Sequence, residues 1–209
     1  MYTMALKTFV KLNSITNLTD ARYGAGMYVN LLGFDLSGNT NNSITPDTFR
    51  EITGWVSGVD FVGEFTHGSG LDLLEVLKAY PSITWIEYDD FEGLRALIGS
   101  DYSLIYKVRL DDLADLEQEI VALLNEFEIV VHVVSENNDL SESGLAAVKY
   151  LAKHTKVLLG TGITAENILD LVDDTGIFGI SLTGGEEIKP GLKDLNELAD
   201  ILEKLETEE

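Results

Sequence analysis

A (β/α)8 TIM barrel, read as a single domain over residues 1–209, is the α/β fold this sequence predicts, and three observations carry it. Eight short runs rich in Val, Ile, Leu, Phe or Tyr punctuate the chain. Amphipathic segments with helical spacing lie between them. The unit recurs at roughly 25 residues, the rhythm of parallel strands each returned by a helix. Alternation alone does not show closure, so a doubly wound open sheet stands as the alternative.

The strand candidates, in order, are Phe9–Leu12, Tyr28–Phe34, Phe61–Phe65, Ile83–Tyr88, Leu104–Leu110, Ile129–Val134, Lys156–Gly160 and Phe178–Leu182. Each is bounded by Gly, Asp, Asn or Ser, which favour turns. Leu113, Leu116, Ile120, Leu123 and Leu124 mark one apolar helix face, with Asp115, Glu117 and Glu119 elsewhere on the same helix. Leu145, Val148 and Leu151 mark a second, Ile168, Leu171 and Val172 a third, and Leu195, Leu198, Ile201 and Leu202 a fourth. Thr45 before Pro46 reads as an N-cap with proline at the first helical position, and Ser141 and Thr164 read as similar caps. Trp55 and Trp85 read as packing residues, and the final Glu-Thr-Glu-Glu as a frayed tail.

Composition removes several function classes. The 209 residues carry 14 Lys+Arg against 36 Asp+Glu, a net charge of −22, which repels both a nucleic-acid backbone and an anionic bilayer. No apolar run is long enough to span a membrane and the N-terminus lacks a leader pattern, so a cytoplasmic location is expected. The absence of cysteine excludes disulfides, thiolate metal ligands and a thiol nucleophile. His67, His132 and His154 lie far apart without metal-ligand spacing, and neither a metal nor another cofactor is expected. Asp111-Asp112 and Asp173-Asp174 read as helix-end or solvated charges.

In a barrel, chemistry sits where strands end and βα loops begin. The loops after the seventh and eighth strand candidates, Leu159–Thr164 and Leu182–Glu187, hold Thr161, Gly162, Thr183, Gly184 and Gly185. Backbone amides freed by small residues beside a helix N-terminus suit a phosphate. The same glycines also suit tight turns, and one such loop alone would favour that plainer reading. Two in the expected register favour phosphate, with Glu186 and Glu187 turned away from the anion. His132 ends an apolar strand, where it is either a hydrogen-bonded core residue or an acid–base group. Arg109 shares strand parity with Lys107, so it faces either a substrate anion or an ion-pair partner such as Asp89 or Glu87.

Three stretches resemble the phosphoribosylanthranilate isomerase family. Val10–Arg22, reading VKLNSITNLTDAR, is similar to the family's VKICGITNLEDA; LGTGITAENI at 159–168 is similar to LAGGLxPENV; and TGGEEIKPGLKD at 183–194 is similar to SSGVExxPGVKD. The resemblance implies a barrel acting on a phosphorylated small molecule, an aminoribose phosphate rearranged to an aminodeoxyribulose phosphate. It also implies a cysteine as general base on strand one and an aspartate as general acid on strand six. Asn13 and His132 stand at those positions. Ser181 replaces a family aspartate, Ser135–Asp139 replace a glycine-rich stretch, and residues 35–42 lack the family's arginine. A neutral amide cannot take a carbon-bound proton. The expectation is therefore a phosphate-binding barrel whose usual activity is lost or altered, with Asn13 and His132 at its centre and Ser181 and Arg109 beside the ligand. The alternatives are a working isomerase using His132 as acid and base, and a non-catalytic metabolite-binding or accessory protein. A homodimer is a common arrangement for such barrels.

Overall fold

The computed structural model describes residues 4–38, 40–66, 72–185, 187–189 and 192–208. At its centre eight parallel strands close into a barrel: β1 (Phe9–Asn13), β2 (Leu31–Asp35), β3 (Asp60–Phe65), β4 (Ile83–Tyr88), β5 (Ser103–Arg109), β6 (Val130–Val134), β7 (Val157–Leu159) and β8 (Gly179–Thr183). Pairing of β8 with β1, in register from Phe9 with Gly179 to Asn13 with Thr183, seals the ring and excludes the open sheet. The outer layer comprises α1 (Leu18–Gly26), α2 (Pro46–Thr53), α3 (Leu73–Leu77), α4 (Phe91–Arg95), α5 (Gln118–Glu126), α6 (Glu142–Leu151), α7 (Ile168–Thr175) and α8 (Asn196–Leu205). Among the described residues, no helix is long and apolar enough to cross a membrane.

The two-residue period of the strands sorts side chains into two cores. Val10, Leu12, Leu32, Phe34, Ile86, Val131, Val133 and Ile180 point outward and pack beneath helix residues such as Phe49, Leu94, Leu124 and Leu202. The opposite parity fills the lower barrel with Leu31, Val62, Ile105, Val130 and Leu158, against which Phe9, Trp85 and Phe178 pack. Two residues further along the same inward rows stand Lys11, Glu64, Glu87, Lys107 and His132. The barrel thus changes from apolar to charged within one step of the pleat.

Local signals were followed at Thr45 and Ser141, whose side chains accept from the amides of Thr48 and Gly144. Elsewhere the structure corrects the sequence reading. Strand β2 begins at Leu31 because Tyr28 adopts a left-handed conformation (φ 59°) in the turn before it. Thr164 caps a separate turn, exchanging bonds with Asn167, and α7 starts only at Ile168. The stripe from Leu113 to Leu124 is split into a 3-10 turn at Leu110–Asp115 and α5, since the backbone is extended at Leu116 and Glu117. Glu206–Glu208 is no frayed tail: it pairs antiparallel with Met4–Leu6. Trp55 is 73% exposed, whereas Trp85 lies inside the barrel. His67 and Glu186 lie outside the described residues.

Candidate active site

At the C-terminal end of the barrel opens a cavity of about 620 Å³. Strand ends and βα loops supply its walls: Asn13 and Ser14 after β1, Glu64 from β3, Glu87 from β4, Lys107 and Arg109 from β5, His132 from β6, Gly160 after β7, and Ser181 and Thr183 from β8. The lining is dominated by hydrogen-bonding and charged side chains, and among the described residues it contains no Phe, Tyr or Trp. Among the described residues, no group of three His, Asp or Glu side chains converges to hold a metal ion.

One connected network forms the floor. Lys11, wholly buried, places its Nζ 2.5 Å from Glu64 Oε1 and 2.8 Å from Glu87 Oε2, and donates to Asn13 Oδ1 at 2.5 Å. Glu64 is held on its other oxygen by the backbone amide and hydroxyl of Ser14. Glu87 Oε2 also lies 2.9 Å from His132 Nδ1, and Glu87 Oε1 lies 4.0 Å from Lys107 Nζ. His132 is 1% exposed, and its Nε2, itself buried, has no hydrogen-bond partner among the described residues.

Burial and charge act against each other in this cluster. Burial works to lower the pKa of Lys11, but Glu64 and Glu87 outweigh it and raise the value above the ordinary one. Burial works to raise the pKa of Glu87, yet Lys11, His132 and Lys107 carry it well below the carboxylate range. For His132 burial prevails, helped by Lys11 and Lys107, and lowers the pKa despite Glu87. Near neutral pH the floor therefore holds an ammonium, a carboxylate and a neutral imidazole side by side.

Two glycines make the network possible through close approach. A Cβ at Gly33 would fall 1.9 Å from Glu64 Oε1, and one at Gly160 would fall 2.5 Å from His132 Nε2. Both contacts are far inside van der Waals range, so a side chain at either inward position would force Glu64 or His132 out of the place it holds here.

Asn13 acts as a clamp at the rim. Its Oδ1 accepts from Lys11 and, at 2.8 Å, from the Ser181 hydroxyl, while its Nδ2 donates to Thr183 Oγ1 at 3.2 Å. Asn13, His132, Ser181, Thr183 and Arg109, which the sequence offers as candidates, all line this one cavity. Arg109 is exposed and binds Asp112 through two nitrogens at 2.7 and 3.0 Å, with Glu136 at 3.9 Å; Asp89 and Glu87 are not its partners. Lys107 instead faces Glu87. Lys11, Glu64 and Glu87 were missed as site residues. Their signal was a single charged residue set between apolar ones in each strand, at the inward parity.

The glycine loops are tied more closely to neighbouring chain than expected. Thr161 is fully buried, with its hydroxyl 2.6 Å from Ser135 Oγ and 3.3 Å from Asp139 O. The Gly162 amide donates to Asn138 Oδ1 at 3.0 Å, and the Gly185 amide to Asp194 O at 2.9 Å. Gly184 is half-buried between Thr183 and Gly185. The turn away from the anion expected of Glu186 and Glu187 lies outside the described side chains.

The profile of the N-(5'-phosphoribosyl)anthranilate (PRA) isomerase family matches residues 95–204, more than half of the chain. The chain belongs to this family. The N-(5'-phosphoribosyl)anthranilate isomerase of Geotalea uraniireducens (strain Rf4) is 20% identical over 204 residues, covering 94% of this chain and 98% of that protein. Among solved structures, phosphoribosyl anthranilate isomerase from Thermus thermophilus superimposes with a TM-score of 0.76 at 21% identity, over 94% of this chain and 98% of that one. A phosphoribosyl anthranilate isomerase in complex with reduced 1-(o-carboxyphenylamino)-1-deoxyribulose 5-phosphate matches with a TM-score of 0.71 at 18% identity, over 94% of this chain and 97% of that one. These likenesses agree with the closed eight-stranded barrel. Within it, the family member described here carries a lysine–glutamate–histidine floor and an asparagine at the rim.

Proposed function

We propose that this barrel binds a phosphorylated sugar derivative and isomerises it by proton transfer between neighbouring carbons, with His132 as the acid–base group. The single observation behind this reading is the buried, neutral His132 at the cavity wall, whose Nε2 has no partner among the described residues. A neutral imidazole takes the proton from the carbon next to a carbonyl or imine and returns it to the adjacent carbon. The hydroxyl proton on the first carbon passes to the oxygen or nitrogen of the former carbonyl or imine, which completes the change from aldose to ketose. The Lys107 ammonium, on the inward face of β5 beside β6, offers positive charge to the oxygen that becomes negative. Family membership supports a substrate of the phosphoribosylanthranilate type. The loops carrying Thr161, Gly162, Thr183, Gly184 and Gly185 are the proposed phosphate seat, where a ligand would have to compete with Asn138 for the Gly162 amide.

A second reading, a metabolite-binding barrel without turnover, is favoured by one feature. Asn13, at the position of the family's general base, is committed to three partners and has no basicity to offer. A fluorescence assay for consumption of phosphoribosylanthranilate, run beside a thermal-shift series with ribose and ribulose phosphates, separates the two. The isomerase reading expects turnover that His132→Asn abolishes. Saturable shifts without turnover establish the binder. Binding at 100 times Kd should add about 2.7 kcal/mol of stability, well above the detection limit of such an assay.

A further inference from the structure

Building on the acid–base reading above, we propose that Glu87 and Lys11 are positioning residues that fix His132 in one tautomer, with its proton on Nδ1 and Nε2 left as the base. Glu87 Oε2 lies 2.9 Å from His132 Nδ1 and 2.8 Å from Lys11 Nζ. An ionised carboxylate only accepts hydrogen bonds, so at this separation Nδ1 is the donor. A neutral imidazole carries one N–H, and the unpartnered Nε2 is then the nitrogen with the free lone pair.

Lys11 holds the carboxylate in the state this requires. Were Glu87 to take up a proton, its O–H would donate to Nδ1, the ring proton would move to Nε2, and the base would be lost. The wholly buried ammonium of Lys11 opposes that protonation from β1, and Lys107 opposes it from β5 at 4.0 Å. Glu64 on β3 could compete for Lys11, but its second oxygen is anchored by the amide and hydroxyl of Ser14. The relay Glu64–Lys11–Glu87–His132, with Lys107 beside Glu87, thus accounts for the charged groups that β1, β3, β4 and β5 contribute to this layer. Gly160 on the remaining side adds no polar side chain and leaves Nε2 uncontested.

The test reads the imidazole nitrogens by ¹H–¹⁵N NMR in the free protein at neutral pH, with His132→Asn to assign the signal among the three histidines. The wild-type His132 should show a protonated Nδ1 and a bare Nε2. Glu87→Gln should mix or reverse that pattern and lower kcat at least about 10-fold while KM stays within about two-fold, since general acid–base groups contribute roughly 10²–10⁴ to rate. Glu87→Asp, which restores the charge, should recover the wild-type nitrogen pattern in part. A wild-type spectrum with the proton on Nε2 would overturn the proposal, as would a Glu87→Gln spectrum identical to wild type. The wild-type spectrum decides the matter even if the variant does not fold. Because it needs no substrate, failure to find turnover would remove the isomerase reading without touching the tautomer.

Discussion

Two inward layers of the barrel, separated by a single pleat of the same strands, solve the problem of burial in opposite ways. In the lower layer Leu31, Val62, Ile105, Val130 and Leu158 contribute through apolar area removed from water, and each is worth roughly what its volume dictates. In the upper layer Lys11, Glu87 and His132 are buried to the same degree, at 0%, 2% and 1% exposure, but their desolvation is offset by one another and by Glu64, Asn13 and Lys107. The comparison teaches that burial does not distinguish core from site. What distinguishes them is whether deletion leaves a hole or an uncompensated charge.

The largest expected effect follows from breaking the upper layer at its centre. Lys11→Met removes the ammonium between Glu64 and Glu87, leaving only the more distant Lys107 near Glu87, and should cost about 3–5 kcal/mol in urea denaturation near neutral pH. Leu158→Ala in the lower layer should cost a similar amount, about 2–5 kcal/mol, through its cavity. The two differ in what else they change. Lys11→Met should disturb the His132 nitrogen signals, and Leu158→Ala should leave them in place. A loss under about 1 kcal/mol for Lys11→Met would contradict the claim that deletion in the upper layer leaves an uncompensated charge.

Acid should separate the layers next. The folded pKa values of His132 and Glu87 both lie below their ordinary values of 6.5 and 4.5. The unfolded chain therefore binds protons before the folded one does, and stability falls with pH, first below about 6.5 and again below about 4.5. Lys11 has the opposite sign, since its raised pKa gives stability that is complete below 10.5 and lost only at higher pH. Urea midpoints from pH 4 to 8 should show the acid loss in wild type. His132→Asn should lose the step near 6.5.

A smaller effect on stability, but a large one on turnover, is expected for Gly160→Ala. Its methyl group would arrive 2.5 Å from His132 Nε2 and push the ring aside. A displacement on the order of 1 Å at a reacting group costs about 10²-fold in rate, measurable as kcat against an almost unchanged melting temperature. The smallest effect on folding belongs to Arg109→Ala. Its exposed pair with Asp112 should leave the urea midpoint where it was, while affinity for phosphorylated ligands falls a few-fold and more so at low salt.

Much of this architecture was legible in the sequence, for stated physical reasons. All eight strand candidates lie on observed strands, because β-branched and aromatic runs bounded by turn residues are local signals. The caps at Thr45 and Ser141 are equally local. Asn13, His132 and Ser181 were found through likeness to a family motif and strand-end position. Lys11, Glu64 and Glu87 were not, since their meaning depends on pairings such as Glu87 with His132 and Lys11 with Glu64, 45 and 53 residues apart, made only when the barrel closes. The engagement of the Gly162 amide by Asn138 was hidden for the same reason: it joins two successive loops across a strand and a helix.

The central claim is that the charged layer exists to present His132 as a base to a phosphorylated sugar. Exchange of the carbon-bound proton next to the carbonyl or imine, followed by ¹H NMR in D2O with ribose phosphate, ribulose phosphate and phosphoribosylanthranilate, tests it most directly. Catalysed exchange of at least one of these by the wild-type protein, lost in His132→Asn, is the predicted result. No exchange with any of them, or an equal rate in His132→Asn, would contradict it.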